Sequence, residues 1–229
     1  MPESTDRAVI FDMDGVLIDS YTPHYRSWVA TCEPRGVSID PERYRRLFGR
    51  SFGAFVAALC PHVTDPAAID AWHAEKEECY RAIIEADFPA MPGAAELVTA
   101  LDTAGFLLAI GSSGARGNVD CLCRKLSQGH RFRATVSSDD TSEPKPHPEV
   151  FLRCATALEV APTRCAVIED SIHGLRAARS AGMAAVGLTG TCPRATLETE
   201  ADLVVDALDE LGPEPLAGLI DAVTSGSRR

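Results

Sequence analysis

From residue 90 onward, short segments without a single polar side chain alternate with helix-forming stretches, and this alternation most narrows what the chain can fold into. Residues 106–110 (Phe-Leu-Leu-Ala-Ile), 165–168 (Cys-Ala-Val-Ile) and 184–188 (Ala-Ala-Val-Gly-Leu) are of this kind. A strand with one face in water alternates polar and apolar residues, so strands without polar residues must be covered on both faces. Between them lie helix signals. Pro92-Gly93 opens a helix with Ala94, Leu97, Val98 and Leu101 at helical spacing, and Gly105 closes it. A polar helix is predicted over 117–126, a helix over 148–158 with Val150, Phe151, Cys154, Ala155 and Leu158 on one face, and a small-residue helix over 173–181 ending at Gly182. Further strands are predicted at 8–11, near 134–137 and at 203–205. Repeated βα units of this kind define an α/β fold, a doubly wound, Rossmann-like parallel sheet.

Residues 19–89 break the pattern, with helix signals only, at 23–31, 41–48, 51–60 and 66–85. The expectation is an all-helical cap domain (19–89) inserted into a catalytic core made of 1–18 and 90–229. It enters just past the first strand, where ligands bind in such sheets, so it is expected to cap the site. A chain of 229 residues, 45% hydrophobic, is long enough for both parts. Its net charge of −11 disfavours nucleic acid, and no basic cluster offsets it. No apolar run approaches the roughly 18 residues of a membrane span, and the N-terminus lacks the apolar stretch of a signal peptide, so a cytoplasmic protein is expected. The eight cysteines have neither metal nor disulfide spacing and read as reduced, small hydrophobes. A monomer or weak homodimer is expected.

In a doubly wound sheet the carboxyl ends of the central strands share one crevice. Four groups fall there. Asp12 and Asp14 leave the first strand two residues apart, hence on one side of the chain, with Gly15 allowing a sharp turn. Ser112-Ser113-Gly114 follows the strand at 106–110. Lys145 lies in Glu-Pro-Lys-Pro-His-Pro, stiffened by prolines on both sides. Glu169-Asp170 ends the strand at 165–168. Any one could be a solvated loop or a helix cap. Together, acids, a hydroxyl with backbone amides and one lysine make a magnesium–phosphate site.

These motifs, in this order, resemble the haloacid dehalogenase-like superfamily, which carries D-x-D-G, a Ser/Thr, a Lys and an acid pair at corresponding strand ends. Here they are Asp12-Met-Asp14-Gly15, Ser112, Lys145 and Glu169-Asp170. Lys-Pro-His-Pro-Glu-Val-Phe-Leu and Ile-Glu-Asp-Ser-Ile-His-Gly-Leu look like the branch of sugar-phosphate phosphatases and β-phosphoglucomutase, whose helical cap is inserted where residues 19–89 lie. The resemblance implies that Asp12 attacks the phosphorus of a small phosphorylated metabolite, forming an aspartyl-phosphate. Asp14 would protonate the leaving oxygen and then deprotonate the hydrolytic water. Mg²⁺ would be held by the Asp12 carboxylate, the Asp14 carbonyl and Asp170, with Glu169 a direct or water-mediated ligand. Ser112, the amides near Ser113 and Gly114, and Lys145 would bind the phosphoryl oxygens.

Substrate choice is assigned to His24, where that branch often has a cap histidine, to Arg50 in Gly49-Arg50-Ser51 between two cap helices, and to Arg116 beyond the serine loop. Lys76, among Glu75, Glu77 and Glu78, reads as part of a solvated face, and Trp28 and Trp72 as cap core. The mutase places a phosphate-gripping arginine three residues after the glycine equivalent to Gly49, where this chain has Phe52. A Mg²⁺-dependent phosphatase is therefore expected before a β-phosphoglucomutase-like isomerase. A phosphoacceptor signalling module, which also combines an acceptor Asp, acids, Ser/Thr and Lys, is disfavoured by chain length and the helical insertion.

Overall fold

The computed structural model describes residues 6–49 and 51–227. Among the described residues two compact units emerge, one of residues 6–19 and 89–227 and the other within Ser20–Phe88. In chain order the elements begin with β1 (Ala8–Phe11), followed by the helices α1 (Tyr21–Cys32), α2 (Pro41–Leu47), α3 (Phe52–Leu59) and α4 (Pro66–Ala86). There follow α5 (Ala94–Thr103), β2 (Leu107–Gly111), α6 (Arg116–Lys125), β3 (Ala134–Val136), α7 (Glu149–Ala157), β4 (Cys165–Glu169), α8 (Ile172–Ser180), β5 (Ala184–Leu188), α9 (Arg194–Leu197), β6 (Leu203–Val205) and α10 (Pro213–Thr224).

The six strands form one parallel sheet in the order β3-β2-β1-β4-β5-β6. This is the doubly wound α/β arrangement expected, with the order reversing beside β1. Ala8, Val9, Ile10 and Phe11 are wholly buried, as are Cys165 to Ile168, which is why neither strand carries a polar residue before its end. Register positions the site. Phe11 is level with Ile110 on β2 and Ile168 on β4, so Asp12, Gly111 and Glu169 leave the sheet side by side. The Asp12 amide donates to the Ile168 carbonyl at 3.0 Å and continues the ladder one residue further. Two helices beyond those expected, α9 and α10, follow β5 and β6. Leu216 and Ile220 of α10 are buried, but Gly212, Pro213, Pro215 and Gly218 obscure the periodicity in sequence.

The second unit is wholly helical and its ends are set locally. Asp40 and Asp65 cap α2 and α4, accepting hydrogen bonds from the amides of Arg43 (2.7 Å) and Ala67 (3.2 Å), and Pro41 and Pro66 stand at the first helical position. Its core is aromatic, with the Trp28 ring stacked on Phe55 (centroids 4.0 Å apart) and Phe52 (4.9 Å) and edge-on to Trp72 (6.1 Å). Both tryptophans are thus core residues, as read from sequence. No helix among the described residues is long and apolar enough to cross a membrane. All eight cysteines are free.

Candidate active site

Lys145 organises the carboxylates at the ends of β1 and β4. Its Nζ donates to Asp12 Oδ1 (2.7 Å), to Glu169 Oε1 (2.7 Å) and to the Gly111 carbonyl (3.3 Å), and it lies 4.8 Å from the centroid of the Phe151 ring. An ammonium has three N–H donors, and all three are engaged here. Lys145 therefore fixes Asp12 and Glu169 relative to one another. The Asp12 and Glu169 carboxylates outweigh the opposing effect of burial and hold its pKa above the ordinary lysine range.

Glu169 is held from both sides, since its Oε2 accepts from the amide (2.7 Å) and hydroxyl (2.8 Å) of Ser171. That hydroxyl in turn accepts from the Gly174 amide at 3.1 Å and caps α8. A Cβ on Gly174 would stand 1.9 Å from the Glu169 carboxyl group, so no other residue fits without moving it. Gly174→Ala is expected to lower stability by about 1–3 kcal/mol. Unchanged melting in thermal unfolding would show that Glu169 is not packed as described. Asp170 Oδ2 accepts a hydrogen bond from the Thr191 hydroxyl. It rests against Gly15, whose φ of +76° suits glycine and where a Cβ would come within 2.0 Å of that oxygen.

Asp12, Glu169 and Asp170, all buried, each offer an oxygen within 4.8 Å of the others. Burial pushes the Asp12 carboxyl up to about 7; Lys145 pulls it down, while Glu169 and Asp14 push it further up. Burial, with Glu169 and Asp12 beside it, also drives Asp170 well above the ordinary range, against the pull of Thr191 and Lys145. One ammonium against these carboxylates leaves negative charge in excess. The donors are hard oxygens on buried side chains, which suits a small divalent cation such as Mg²⁺.

Ser112 is buried, and its Oγ accepts from the Gly114 amide at 2.9 Å, which leaves the hydroxyl proton available to a ligand. A Cβ on Gly114 would lie 3.2 Å from that Oγ and 3.7 Å from Asp14 Oδ2, so Asp14 belongs to the same locality. Ser113 is exposed and, with Ser112, Ser138, Thr141, Ser142 and Lys145, lines a cavity of about 220 Å³. Arg116 is turned elsewhere. Its guanidinium donates to Thr135 Oγ1 (2.8 Å), the Thr135 carbonyl (3.2 Å) and Asp140, which also accepts from the Ser137 amide (2.7 Å) and hydroxyl (2.8 Å). It thus braces the loop after β3.

In the helical unit His24 is half-buried and stacked on Tyr80 (centroids 4.0 Å apart, 12° between planes), and its Nδ1 lies 2.8 Å from Lys76 Nζ. The expectation for Lys76 is overturned: it is 4% exposed, also donates to Glu77 Oε1 at 2.8 Å and lies over the Tyr80 ring. Trp72, Lys76 and Tyr80 share a helical face at i, i+4 and i+8, and that spacing was the signal to heed over the neighbouring glutamates. Arg50 lies outside the described residues. Ser171 and Thr191 are the contacts that sequence reasoning missed in the core unit.

The haloacid dehalogenase-like hydrolase family matches residues 7–182, and the chain belongs to it. It is an enzyme of the hydrolase type on an α/β core. It is 32% identical over 219 residues to β-phosphoglucomutase of Bacillus subtilis, covering 92% of this chain and 93% of that protein. To the fructose-1-phosphate phosphatase YqaB of Escherichia coli it is 31% identical over 182 residues, 78% of this chain and 94% of that one. Among solved structures, CbbY from Rhodobacter sphaeroides in complex with phosphate superposes with a TM-score of 0.82 at 29% identity, over 93% of this chain and all of the other.

Proposed function

We propose that this chain is a Mg²⁺-dependent phosphatase that hydrolyses a small phosphomonoester, a sugar phosphate, through an aspartyl-phosphate on Asp12. The observation that carries the reading is the buried Asp12 carboxylate, held by Lys145 beside two further buried acids. An isolated carboxylate in that position would repel a phosphate dianion. Asp12, Asp170 and the backbone carbonyl of Asp14 would hold Mg²⁺, which when bound neutralises part of this repulsion and polarises the phosphoryl group. Glu169, with both oxygens already accepting from Lys145 and Ser171, is suited to orient the lysine and to reach a cation through water.

Asp12 attacks phosphorus, the bond to the leaving oxygen breaks, and Asp14 supplies that oxygen with a proton. Asp14, now ionised, takes a proton from the water that attacks the aspartyl-phosphate, which frees phosphate and restores both acids. Ser112 and the amides near Ser113 would steady the phosphoryl oxygens as charge shifts in the transition state. Lys145 aims Asp12 and pulls its carboxyl back toward the ionised form. Substrate choice is assigned to the helical insertion, with His24 held by Lys76 as the residue to test first.

The relatives named above support a sugar phosphate but divide between phosphatase and mutase. Phe52 favours the phosphatase. It is stacked on Trp28 and lies 4.4 Å from the His73 ring, inside an aromatic cluster, where a mutase needs a cation to grip the second end of a bisphosphate. A phosphate-release assay over a panel of phosphorylated sugars and small acids, with and without Mg²⁺, tests this. Release that depends on Mg²⁺ and vanishes with EDTA is expected. Conversion of β-glucose 1-phosphate to glucose 6-phosphate without release would make it a mutase. A stable aspartyl-phosphate without turnover would make it a phosphoacceptor.

A further inference from the structure

Asp170 is the one acid of the cluster that Lys145 does not touch. It is 7% exposed, and repulsion from Glu169 and Asp12 would turn it away unless something held it. Two contacts do so. The backbone at Gly15 closes one side so tightly that a Cβ there would overlap Asp170 Oδ2, and Thr191 Oγ1 donates to the same oxygen beside it. The three meet, since the Cβ position at Gly15 is also 3.2 Å from the Thr191 hydroxyl. Thr191 itself sits on the exposed loop after β5, where it caps no helix, so its hydroxyl's contact with Asp170 is not a by-product of local structure. A carboxylate with one oxygen taken by a donor presents the other in a single direction, and a cation site gains affinity when its ligands are already aimed.

We propose that Thr191 is a positioning residue that aims Asp170 at the divalent cation and thereby sets the affinity of this protein for Mg²⁺. This rests on the metal-dependent reading above. It adds the end of β5 to the strand ends that build the site and makes cation affinity depend on a loop residue that touches neither substrate nor metal.

The test is isothermal titration of MgCl₂ into the metal-free protein, comparing wild type with Thr191→Val, which keeps shape and deletes the donor, and Thr191→Ser, which restores it. Thr191→Val is expected to weaken Mg²⁺ binding by about 10-fold, as removal of outer-shell partners generally does, and Thr191→Ser to recover most of it. The turnover defect of Thr191→Val should shrink as Mg²⁺ is raised. Thr191→Ala gives the same comparison should the valine variant misfold. If the wild type binds Mg²⁺ and the valine and alanine variants bind it equally well, the positioning role is overturned while the metal-dependent reading stands. If the wild type binds no Mg²⁺, both fall. A loss of turnover that no Mg²⁺ concentration relieves, with unchanged affinity, also overturns it.

Discussion

Replacing Asp12 by asparagine is expected to cut phosphate release by on the order of 10³-fold or more, while the protein folds as well as before or better. The first half follows from covalent catalysis, because an amide oxygen is a poor nucleophile for phosphorus and nothing else on β1 can replace it. A loss of that size corresponds to about 4 kcal/mol of transition-state stabilisation. The second half follows from burial. The Asp12 carboxyl is lifted to about 7 by desolvation, Glu169 and Asp14 in spite of Lys145, so its ionised form opposes folding in metal-free protein at neutral pH. Asparagine has the same shape and no charge, and Lys145 keeps Glu169 as a partner. Phosphate release and thermal unfolding of the metal-free variant check the two halves. A variant that keeps more than about a tenth of the activity would remove Asp12 as nucleophile, since loss of a covalent catalyst is never that mild. A variant that melts well below the wild type would show that the ion pair outweighs the burial of the charge.

The strands were legible because burial on both faces removes every polar residue, which is a signal that survives in a single sequence. β1 and β6 begin and end where the apolar runs do. Parallel register then made the convergence of Asp12 and Glu169 foreseeable, since residues level across two strands share a side. What was not legible was direction. Arg116 follows the serine loop immediately, yet its guanidinium turns to Thr135 and Asp140, because a long side chain goes where its partners are and those lie on the neighbouring strand β3 and the loop after it. Lys76 was hidden by composition. Three glutamates around it suggested solvent, while its position between Trp72 and Tyr80 on α4 decided its burial. Ser171 could be recognised as a helix cap, but its second bond, to Glu169, depends on how β4 ends. Thr191 had no local signal, because its partner stands 21 residues away on another strand end.

Removing Lys145 should reveal the charge balance that the site is built around. In metal-free Lys145→Met, the Asp12 and Glu169 carboxylates lose the ammonium they share and stay buried, at 6% and 1% exposure. Breaking a buried ion pair from one side generally costs about 3–5 kcal/mol. Asp12 then finds relief by taking up a proton, so the deficit must depend on pH, with a sign that can be worked out. Asp12 is already raised in the wild type from 3.8 to about 7, so between those values the folded state binds more protons than the unfolded one. Stability therefore falls as pH rises through that window, by at most about 1.4 kcal/mol per pH unit for each such group. Without Lys145 the Asp12 carboxyl shifts further up and the fall continues to higher pH. Urea denaturation of the two proteins at pH 5 and pH 7.5 should show a gap that widens with pH, together with loss of phosphate release in the variant. A gap of equal size at both values would mean that Lys145 contributes packing on Phe151 rather than charge, and that Asp12 is held by something other than this ion pair.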